Sequence, residues 1–328
     1  MSFTNNPPRM DRLYRSKLFV PGSRSDFFEK AAKSEADVIC MDLEDAVAVG
    51  DKEQARKNII EALNDVDWGD KTITVRINGL DTHYCYRDVV DLMEQGGERL
   101  DAIMVPKVGV GADLYAIDVL VSQCEWGTKR KKRVGFEVII ESAMGIENIN
   151  EIAAASQRLE TMHFGAADYA ASTGMRTTNI GGANSDYTML TDGDADGKGR
   201  QNHWGDMWHY TLARIVAAAR AHGVTPIDGP FGNFNDDDGF NNQATRTAVQ
   251  GCEGKWAIHP KQVPLANAIY TPPESEVKRA KDILNAMAEA EQKGLGAATL
   301  EGMLIDAASI RQAKGIIAKM DQIEAKNG

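Results

Sequence analysis

Eight short apolar runs recur along this chain, and nearly every one ends in a charged or hydrogen-bonding side chain. The runs cover residues 17–22, 38–45, 72–79, 102–108, 135–142, 162–169, 224–230 and 255–260. Many of the segments between them show the apolar spacing of amphipathic helices. Strands buried on both faces are typical of parallel sheets, whose crossover connections are helices. The pattern therefore predicts an α/β chain folded as a (β/α)8 TIM barrel.

Two regions depart from this alternation. Residues 172–205 are rich in Gly, Asn, Asp, Ser and Thr, and a loop of this length in a compact domain is typically a lid or a binding loop. After two consecutive prolines come a helical segment near 274–293, a glycine-rich turn and a last helix. We therefore expect a catalytic barrel over residues 1–271, with a lid loop at about 172–205, and a C-terminal helical extension over residues 272–328.

The polar residues that end the apolar runs predict where the active site lies, because TIM barrels carry their chemistry at the C-terminal ends of the strands. Glu141 ends the fifth run and Asp168 ends the sixth, so neighbouring strands would hold two carboxylates close together. Such a pair either shares a proton or binds a cation. Mg²⁺ accepts one or two protein carboxylates and leaves positions for substrate oxygens. The alternative is that each carboxylate pairs with Arg76 or caps the next helix.

Basic side chains lie at the same predicted rim. Arg76 ends the third run and offers a planar fork for a carboxylate, a phosphate or an enolate oxygen. Its alternative role is a structural salt bridge to Glu44 or Asp45. Arg24 and Lys30 follow the first run. Three cations near the first three strands of an acidic chain indicate an anionic ligand with more than one charge.

Four further residues keep a plain structural reading beside a functional one. Lys107 ends the fourth run and could form a Schiff base, although no neighbouring group is visible that would lower its pKa. His259 either orients a ligand or is a hydrogen-bonded histidine at a strand end. Asp306 lies in an apolar stretch beyond the barrel and is either a helix N-cap or an acid delivered to an active site. His163 begins the sixth run, away from the predicted chemistry, and is expected to be structural.

Composition narrows the class of partner. The net charge of −11 argues against nucleic acid, since binding phosphates requires a basic face. The four cysteines form no CxxC pair, which favours reduced thiols in a cytoplasmic protein. Residues 1–15 lack the apolar core of a signal peptide, and no run is long enough to cross a membrane. No GxGxxG or P-loop motif is present, so we expect no redox cofactor.

The apolar runs contain motifs that resemble a known family. LFVPGSR, MDLEDAV, VRING, MVPKV, IIESAMGIENI, FGAADYAA, AIHPKQ and GMLIDAA are similar, in order and spacing, to the motifs of the citrate lyase β-subunit-like (HpcH/HpaI aldolase) family of CoA-thioester lyases. The resemblance extends from Leu18 to Ala308. It implies a homo-oligomer, often a hexamer built as a dimer of trimers. One departure is Ala307, which follows Asp306 where the family often has proline.

The resemblance also implies roles for individual residues. Glu141 and Asp168 would bind Mg²⁺, or Mn²⁺ in its place. Arg76 would face the reacting oxygens of the substrate, and Asp306 would be a second catalytic residue contributed by a neighbouring subunit. The positions implied to bind the CoA thioester and line its pocket are Phe19, Arg24, Lys30, Arg76, Ala167, Asp168, Ile258 and His259.

Within the family, the motifs and the loop between residues 179 and 200 are most similar to those of members that act on malyl-CoA. The resemblance thus implies reversible, metal-dependent carbon–carbon cleavage of L-malyl-CoA to acetyl-CoA and glyoxylate, and of β-methylmalyl-CoA to propanoyl-CoA and glyoxylate. Alternative activities on the same fold are a malyl-CoA thioesterase and a citramalyl-CoA or citryl-CoA lyase. A non-catalytic sensor is disfavoured, because every implied metal-binding and catalytic residue is present.

Overall fold

The computed structural model of the protein describes residue 9 and residues 12–327. The strands in this part of the chain are β1 (Ser16–Pro21), β2 (Val38–Asp42), β3 (Thr72–Arg76), β4 (Ala102–Val105), β5 (Gly135–Ile140), β6 (Leu159–Phe164), β7 (Thr188–Leu190), β8 (Asn202–Trp204), β9 (Thr225–Ile227), β10 (Lys255–Ala257), β11 (Ala298–Leu300) and β12 (Met303–Ile305). Eight of them form one parallel sheet in the order β10-β1-β2-β3-β4-β5-β6-β9. A parallel bridge between Asp228 and Lys255 joins the two edges of this sheet. The sheet therefore closes into a barrel, and the predicted (β/α)8 fold is confirmed.

Helices occupy the connections between the barrel strands and dominate the C-terminal part of the chain. They are α1 (Phe28–Ala32), α2 (Lys52–Asp65), α3 (Cys85–Gln95), α4 (Gly111–Thr128), α5 (Ala143–Glu147), α6 (Ile149–Ala154), α7 (Ala166–Thr173), α8 (His209–Ala221), α9 (Asp237–Gln250), α10 (Gln262–Ile269), α11 (Glu274–Gln292) and α12 (Ala307–Asn327). Short 3-10 turns at Ser25–Phe27 and Val49–Asp51 precede α1 and α2.

The barrel strands are buried along their length, which is why they appear in the sequence as unbroken apolar runs. All five residues of β2 and all five of β3 are buried. The register between these strands pairs Asp42 with Arg76. Each is the last residue of its strand, so a carboxylate and a guanidinium come together at the C-terminal rim of the barrel.

The sixth strand lies earlier than predicted. β6 covers Leu159–Phe164 and α7 begins at Ala166, whereas the prediction placed the strand at residues 162–169. Glu160 and Thr161 are polar yet buried inside the strand, so they hide its start from an apolar pattern. Asp168 consequently lies in the first turn of α7 and not at a strand end. His163 is the second-last residue of β6. The prediction that it begins the strand, away from the C-terminal rim, was therefore wrong.

Other elements were missed or shifted. Helix α4 was not predicted, and its exposed Tyr115, Val119 and Trp126 blur the contrast between its apolar and polar faces. Helix α9 begins at Asp237, where the side chain of Asp236 caps it by accepting a hydrogen bond from the Gly239 N–H. The glycine-rich loop of residues 172–205 contains an antiparallel hairpin of β7 and β8. All six residues of these two strands are exposed, so the hairpin lies outside the core.

Contacts divide the chain after Asn267 into two units, whereas the sequence placed a boundary after Thr271. The second unit contains α11, α12 and the antiparallel hairpin of β11 and β12. Helices α11 and α12 contact each other, and Arg279 of α11 pairs with Glu301 in the hairpin turn at 3.1 Å. The hairpin was not predicted.

The expectation about residues 1–15 concerns a segment of which residues 1–8, 10 and 11 lie outside the described residues. Among the residues that the structure describes, no helix has the length and apolar character needed to cross a membrane.

Buried ion pairs lie within the barrel wall. Lys255 Nζ lies 2.6 Å from Asp228 Oδ2, and both side chains are inaccessible to solvent. Lys255 also donates to the Gly229 carbonyl at 2.8 Å, while Thr247 donates to Asp228 at 3.0 Å. These contacts flank the bridge that closes the barrel, so the pair holds the two edge strands together.

We predict that Asp228→Asn lowers the free energy of unfolding by about 3–5 kcal/mol, because it leaves Lys255 as a buried charge without its counterion. Urea unfolding monitored by circular dichroism measures this change. The matched control is Lys33→Gln in the exposed pair with Glu29, where we expect a change within about 0.5 kcal/mol. Equal effects of the two substitutions would show that the buried pair is not what fastens the barrel.

A carboxyl group at the opposite, N-terminal end of the barrel is poised to titrate. Glu160 accepts a hydrogen bond from the Tyr14 hydroxyl at 3.0 Å and lies 3.1 Å from Arg12 Nε. Burial raises the pKa of Glu160 to about 7, and the opposing charge of Arg12 is insufficient to reverse this shift. Arg12 Nε makes no hydrogen bond in the described part of the chain, so Arg12 acts on Glu160 through its charge alone.

Because the folded protein keeps the Glu160 proton up to a pH of about 7, and the unfolded chain loses it near 4.5, folding takes up a proton between these values. We therefore predict that the free energy of unfolding falls as pH rises through this range, by at most about 1.4 kcal/mol per pH unit from this group. Glu160→Gln should remove this part of the pH dependence in urea titrations of both proteins. A pH-independent difference between the two proteins would contradict the assignment.

Candidate active site

A cavity of about 250 Å³ opens at the C-terminal rim of the barrel. Six of the residues singled out in the sequence line it: Phe19, Arg76, Glu141, Ala167, Asp168 and Ile258. The other lining residues are Pro21, Asp42, Asp45, Ala46, Gly165, Ala166, Ile180, Pro230 and Trp256. The barrel therefore brings together residues from seven different strands or their following loops, as expected of a TIM-barrel active site.

Arg76 is held by carboxylates on the neighbouring strand and loop. Its Nε and Nη2 donate to the two carboxylate oxygens of Asp42 at 2.7 and 2.6 Å, and its Nη1 lies 2.9 Å from Glu44. Burial alone would lower the pKa of Arg76, but the charge and hydrogen bonds of Asp42 raise it above its ordinary value. The predicted alternative, a salt bridge from Arg76 to Glu44, is present. Asp42 is a further partner that the sequence analysis did not identify.

The guanidinium is nevertheless not fully occupied. An arginine side chain carries five N–H groups, and the contacts with Asp42 and Glu44 use three of them. Nη1 also lies 3.7 Å from Asp45 Oδ2, so the N–H without a partner among the described residues is the second one on Nη2. Arg76 also lies above the ring of Phe19, with 5.5 Å between its central carbon and the ring centroid.

Lys107 belongs to the same charge network. Its ammonium group contacts Glu44 and lies 3.5 Å from Asp45. Burial lowers the pKa of Lys107, but the hydrogen bond and charge of Glu44 outweigh it and raise the pKa above its ordinary value. A lysine that holds its proton in two ion pairs is a poor nucleophile, so this arrangement favours a structural role for Lys107 over a Schiff base.

The backbone of Lys107 serves Glu141. Lys107 has a positive φ of 54°, a conformation that non-glycine residues adopt rarely. Its N–H donates to Glu141 Oε1 at 2.6 Å. The second oxygen, Oε2, has no hydrogen-bond partner among the described residues. A Cβ atom on Gly165 would come within 2.4 Å of that oxygen, so only glycine fits this close approach.

Glu141 and Asp168 form the predicted carboxylate pair. Glu141 directly follows β5 and is buried, whereas Asp168 is half-buried in the first turn of α7. Burial, and then the charge of Asp168, raise the pKa of Glu141 to about 8. The two groups therefore repel each other within a partly dry cavity.

This arrangement fits a divalent cation with oxygen ligands. Within residues 12–327, no cluster of three or more His, Cys, Asp or Glu side chains is arranged to hold a metal, so protein ligands alone cannot complete a coordination shell. Mg²⁺ typically binds through one or two carboxylates and fills its other positions with water or substrate oxygens. Glu141 offers an oxygen without a partner beside the open cavity, and a bound cation would offset the repulsion between the two carboxylates.

The structure separates the remaining predicted residues from the cavity lining. Arg24 is exposed, pairs with Asp26 at 2.9 Å and lies 3.9 Å from the centroid of the Phe27 ring. Lys30 lies 5.3 Å from the same ring. His259 stacks on Phe234, with ring centroids 4.8 Å apart.

Asp306 lies in the second unit, where it caps α12. Its Oδ1 accepts hydrogen bonds from the N–H groups of Ala308 at 2.8 Å and Ser309 at 3.2 Å. These bonds lower the pKa of the exposed Asp306 carboxyl. Within the described chain, Asp306 therefore acts as the N-cap of α12, which is one of the two roles predicted for it.

Sequence reasoning missed several residues of the cavity, chiefly Asp42, Gly165, Ile180 and Trp256. Asp42 could have been recognised from the sequence, because it is the last residue of β2. The predicted run instead extended to residue 45, so Glu44 and Asp45 were taken as its polar end. Ile180 lies inside the long polar loop and gives no such signal, because its position depends on how the loop returns over the barrel.

The fold and site together define a TIM-barrel enzyme with a carboxylate pair and a buried arginine at the C-terminal rim. Residues 15–260 match the family model described as HpcH/HpaI aldolase/citrate lyase. The chain belongs to this family, and the resemblance inferred from the sequence motifs is confirmed.

Named relatives and a solved structure agree with this assignment. The chain is 56% identical to an L-malyl-CoA/beta-methylmalyl-CoA lyase of Cereibacter sphaeroides, covering 99% of this chain and 100% of the relative. It is 36% identical to a malyl-CoA/beta-methylmalyl-CoA/citramalyl-CoA lyase of Chloroflexus aurantiacus, covering 89% and 83% of the two chains. The crystal structure of CitE from Mycobacterium tuberculosis in complex with magnesium, acetoacetate and coenzyme A superimposes with a TM-score of 0.69 at 26% identity, covering 97% and 99%.

Proposed function

We propose that the protein is a metal-dependent carbon–carbon lyase that reversibly cleaves L-malyl-CoA to acetyl-CoA and glyoxylate, and β-methylmalyl-CoA to propanoyl-CoA and glyoxylate. The observation that carries the proposal is the carboxylate pair Glu141 and Asp168 in one cavity with Arg76. The near-full-length similarity to a relative named for these two substrates selects this reaction from those the geometry allows.

Glu141 and Asp168 would hold Mg²⁺, or Mn²⁺, through their free carboxylate oxygens. When bound, the ion would supply Lewis-acid polarisation of the glyoxylate carbonyl. The Lys107 N–H keeps one oxygen of Glu141 occupied, so it fixes the orientation in which the other oxygen faces the cavity. Neutralising the pair would also remove the repulsion that raises the pKa of Glu141.

Arg76 would stabilise the negative charge that develops on the thioester oxygen when the carbon–carbon bond breaks. The remaining N–H on its Nη2 is available for this oxygen, while Asp42 fixes the plane of the guanidinium. Because Asp42 and Glu44 already hold it, Arg76 needs little reorganisation during the reaction. Phe19 covers one side of the guanidinium and limits its access to water.

The CoA thioester would enter along the β1 side of the barrel. Phe19, Ala167 and Ile258 line the cavity, and His259 follows directly on Ile258. Arg24 and Lys30 are exposed cations after β1, suited to the phosphates of CoA. The pair of Arg24 with Asp26 is solvent-exposed, and exposed pairs of this kind contribute little stability, so a phosphate can displace the aspartate.

Asp306 of a neighbouring subunit is the proposed base for the α-carbon of the thioester. In this proposal residues 272–328 form the helical extension that packs on that subunit, in a homohexamer arranged as a dimer of trimers. Asp306 is exposed in the described chain, as a residue available to another subunit must be. We also propose a cytoplasmic location, supported by four cysteines that are all buried free thiols in the described chain.

A second candidate is a citramalyl-CoA lyase on the same metal platform, because the Chloroflexus aurantiacus relative carries that substrate in its name. Citramalyl-CoA would release pyruvate, so the oxo-acid product separates the two. A malyl-CoA thioesterase would release malate and free CoA without any oxo acid.

We predict that the purified protein releases glyoxylate from malyl-CoA in the presence of Mg²⁺, and that a chelator stops the reaction. Asp168→Ala should lower the rate by at least about a hundredfold, since even residues that only support a metal ligand contribute 10–100-fold. Glyoxylate is measured as its hydrazone. The variant should also lose any Mg²⁺-dependent rise in the melting temperature.

The matched control is Asp65→Ala, an exposed carboxylate at the end of α2, which should retain wild-type turnover. Free CoA and malate without glyoxylate would identify a hydrolase and contradict the lyase assignment. Undiminished turnover by Asp168→Ala would contradict the metal assignment alone.

The shared-site proposal predicts complementation between two inactive variants. Asp306→Ala and Asp168→Ala should each be inactive, yet mixed oligomers at equal amounts should recover about a quarter of wild-type activity, because random assembly joins an intact half from each chain at that frequency. Subunit exchange is verified with a tagged chain. Asp168→Ala is preferred to an Arg76 variant, which would leave the buried Asp42 unpaired. No recovery after verified exchange would show that each site lies within one subunit.

A further inference from the structure

The floor of the active-site cavity is aromatic. Trp256 is the middle residue of β10 and lines the cavity with only 5% of its surface exposed. Its ring centroid lies 4.2 Å from that of Phe19, and Phe19 in turn lies beneath the guanidinium of Arg76. The position of the Trp256 ring therefore sets the depth of the cavity beside Arg76.

A single buried hydrogen bond fixes this ring from below. Trp256 Nε1 donates to Nδ1 of His163 at 2.8 Å. An indole N–H is only a donor, so Nδ1 must be the unprotonated, accepting nitrogen. His163 therefore carries its proton on Nε2, which lies 2.7 Å from the Thr161 hydroxyl. The contacts select one tautomer of His163.

The bond crosses between strands that are not neighbours. His163 lies on β6 and Trp256 on β10, with β9 between them in the sheet. Both side chains point into the barrel interior, where Trp256 packs with the buried core residues Val38, Cys40 and Ile139. Strands β6 and β10 are not hydrogen-bonded to each other through their backbones. The side-chain bond therefore links β6, which precedes Asp168, directly to the aromatic floor of the cavity.

The surroundings keep His163 neutral. It is fully buried, and Glu137 lies 4.0 Å from its Nε2 but is already paired with Lys17. Burial, and then the charge of Lys17, lower the pKa of His163 well below its ordinary value. Protonation would place a second N–H against the indole N–H, so the neutral form is the one compatible with the observed contact.

We propose that His163 is a positioning residue, which through Trp256 sets the aromatic floor against which the acyl group of the CoA thioester packs. This inference rests on the proposed function and adds a determinant of acyl-chain preference to it. An acetyl and a propanoyl group differ by one methyl group, and one methyl in an apolar pocket changes specificity by about 10–200-fold. A shift or tilt of the Trp256 ring should therefore change the ratio of activity with acetyl-CoA to activity with propanoyl-CoA. It should have less effect on the bond-breaking step that both substrates share.

The test compares His163→Leu with His163→Asn in the condensation of glyoxylate with acetyl-CoA and with propanoyl-CoA. Leucine removes the acceptor, whereas the amide oxygen of asparagine can take the place of Nδ1. We expect His163→Leu to change the ratio of kcat/KM for the two thioesters by at least about fivefold, mainly through KM, because lost uniform binding appears in KM. His163→Asn should stay close to the wild-type ratio. An unchanged ratio in His163→Leu, or an equal change in both variants, would overturn the inference.

Trp256→Phe keeps an aromatic ring but removes the donor, and it completes a double-mutant cycle with His163→Leu. If the hydrogen bond carries the effect, the two substitutions remove the same interaction, and the double variant should be no worse than the more impaired single variant. Independent, multiplying effects would indicate two separate packing defects and contradict the positioning role. Melting temperatures of all variants identify any that do not fold.

Binding without turnover separates this inference from the proposed function. Calorimetry with each thioester in the absence of glyoxylate measures the affinity ratio for the two acyl groups directly. Wild-type protein that binds both thioesters but condenses neither would refute the lyase reaction, while the effect of His163→Leu on the affinity ratio would still decide the positioning role. Wild-type turnover with a His163→Leu ratio unchanged in both assays would refute only the positioning role.

Discussion

The constraint on which the site depends is an excess of negative charge at one rim of the barrel, part of it buried. Asp42, Glu44 and Asp45 are matched by Arg76 and Lys107 through direct ion pairs. Glu141 and Asp168 have no ion-pair partner among the described residues, and the raised pKa of Glu141 expresses that imbalance. The ion pairs therefore hold Arg76 and Lys107 in place, and a further positive charge is favourable between Glu141 and Asp168.

The closed barrel is what allows this imbalance to persist. Two carboxylates that repel each other would move apart on a flexible chain, but Glu141 directly follows β5 and Asp168 follows β6 by a short turn. Gly165 permits the turn to pass close to Glu141. The interior beneath them is tied together by the buried pairs of Lys17 with Glu137 and of Lys255 with Asp228. Removing one partner of such a pair is strongly destabilising, so the floor of the site is as constrained as its rim.

The barrel and most of its rim could be predicted from the sequence because both are local in origin. A buried strand is a continuous apolar run, and the residue that ends it is visible in the same segment. What could not be predicted is set by tertiary contacts. Asp168 was assigned to a strand end because buried Glu160 and Thr161 disguised the start of β6. The hydrogen bond between His163 and Trp256 joins residues 93 positions apart, and no local pattern distinguishes this histidine from one that only fills the core.

Asp306 shows how chemistry and assembly are connected in the proposed enzyme. In the described chain its carboxylate is exposed and accepts two backbone hydrogen bonds, which lower its pKa. A base must have a pKa high enough to take a proton from carbon, so a carboxylate in this state is a weak one. Transfer into a water-poor cavity disfavours its charge and raises its pKa, and the negative charges of the rim act in the same direction. In the proposed enzyme the same acid would therefore be inert in a free subunit and would become a competent base only when docking against a partner removes its solvent, which would make activity a property of the oligomer.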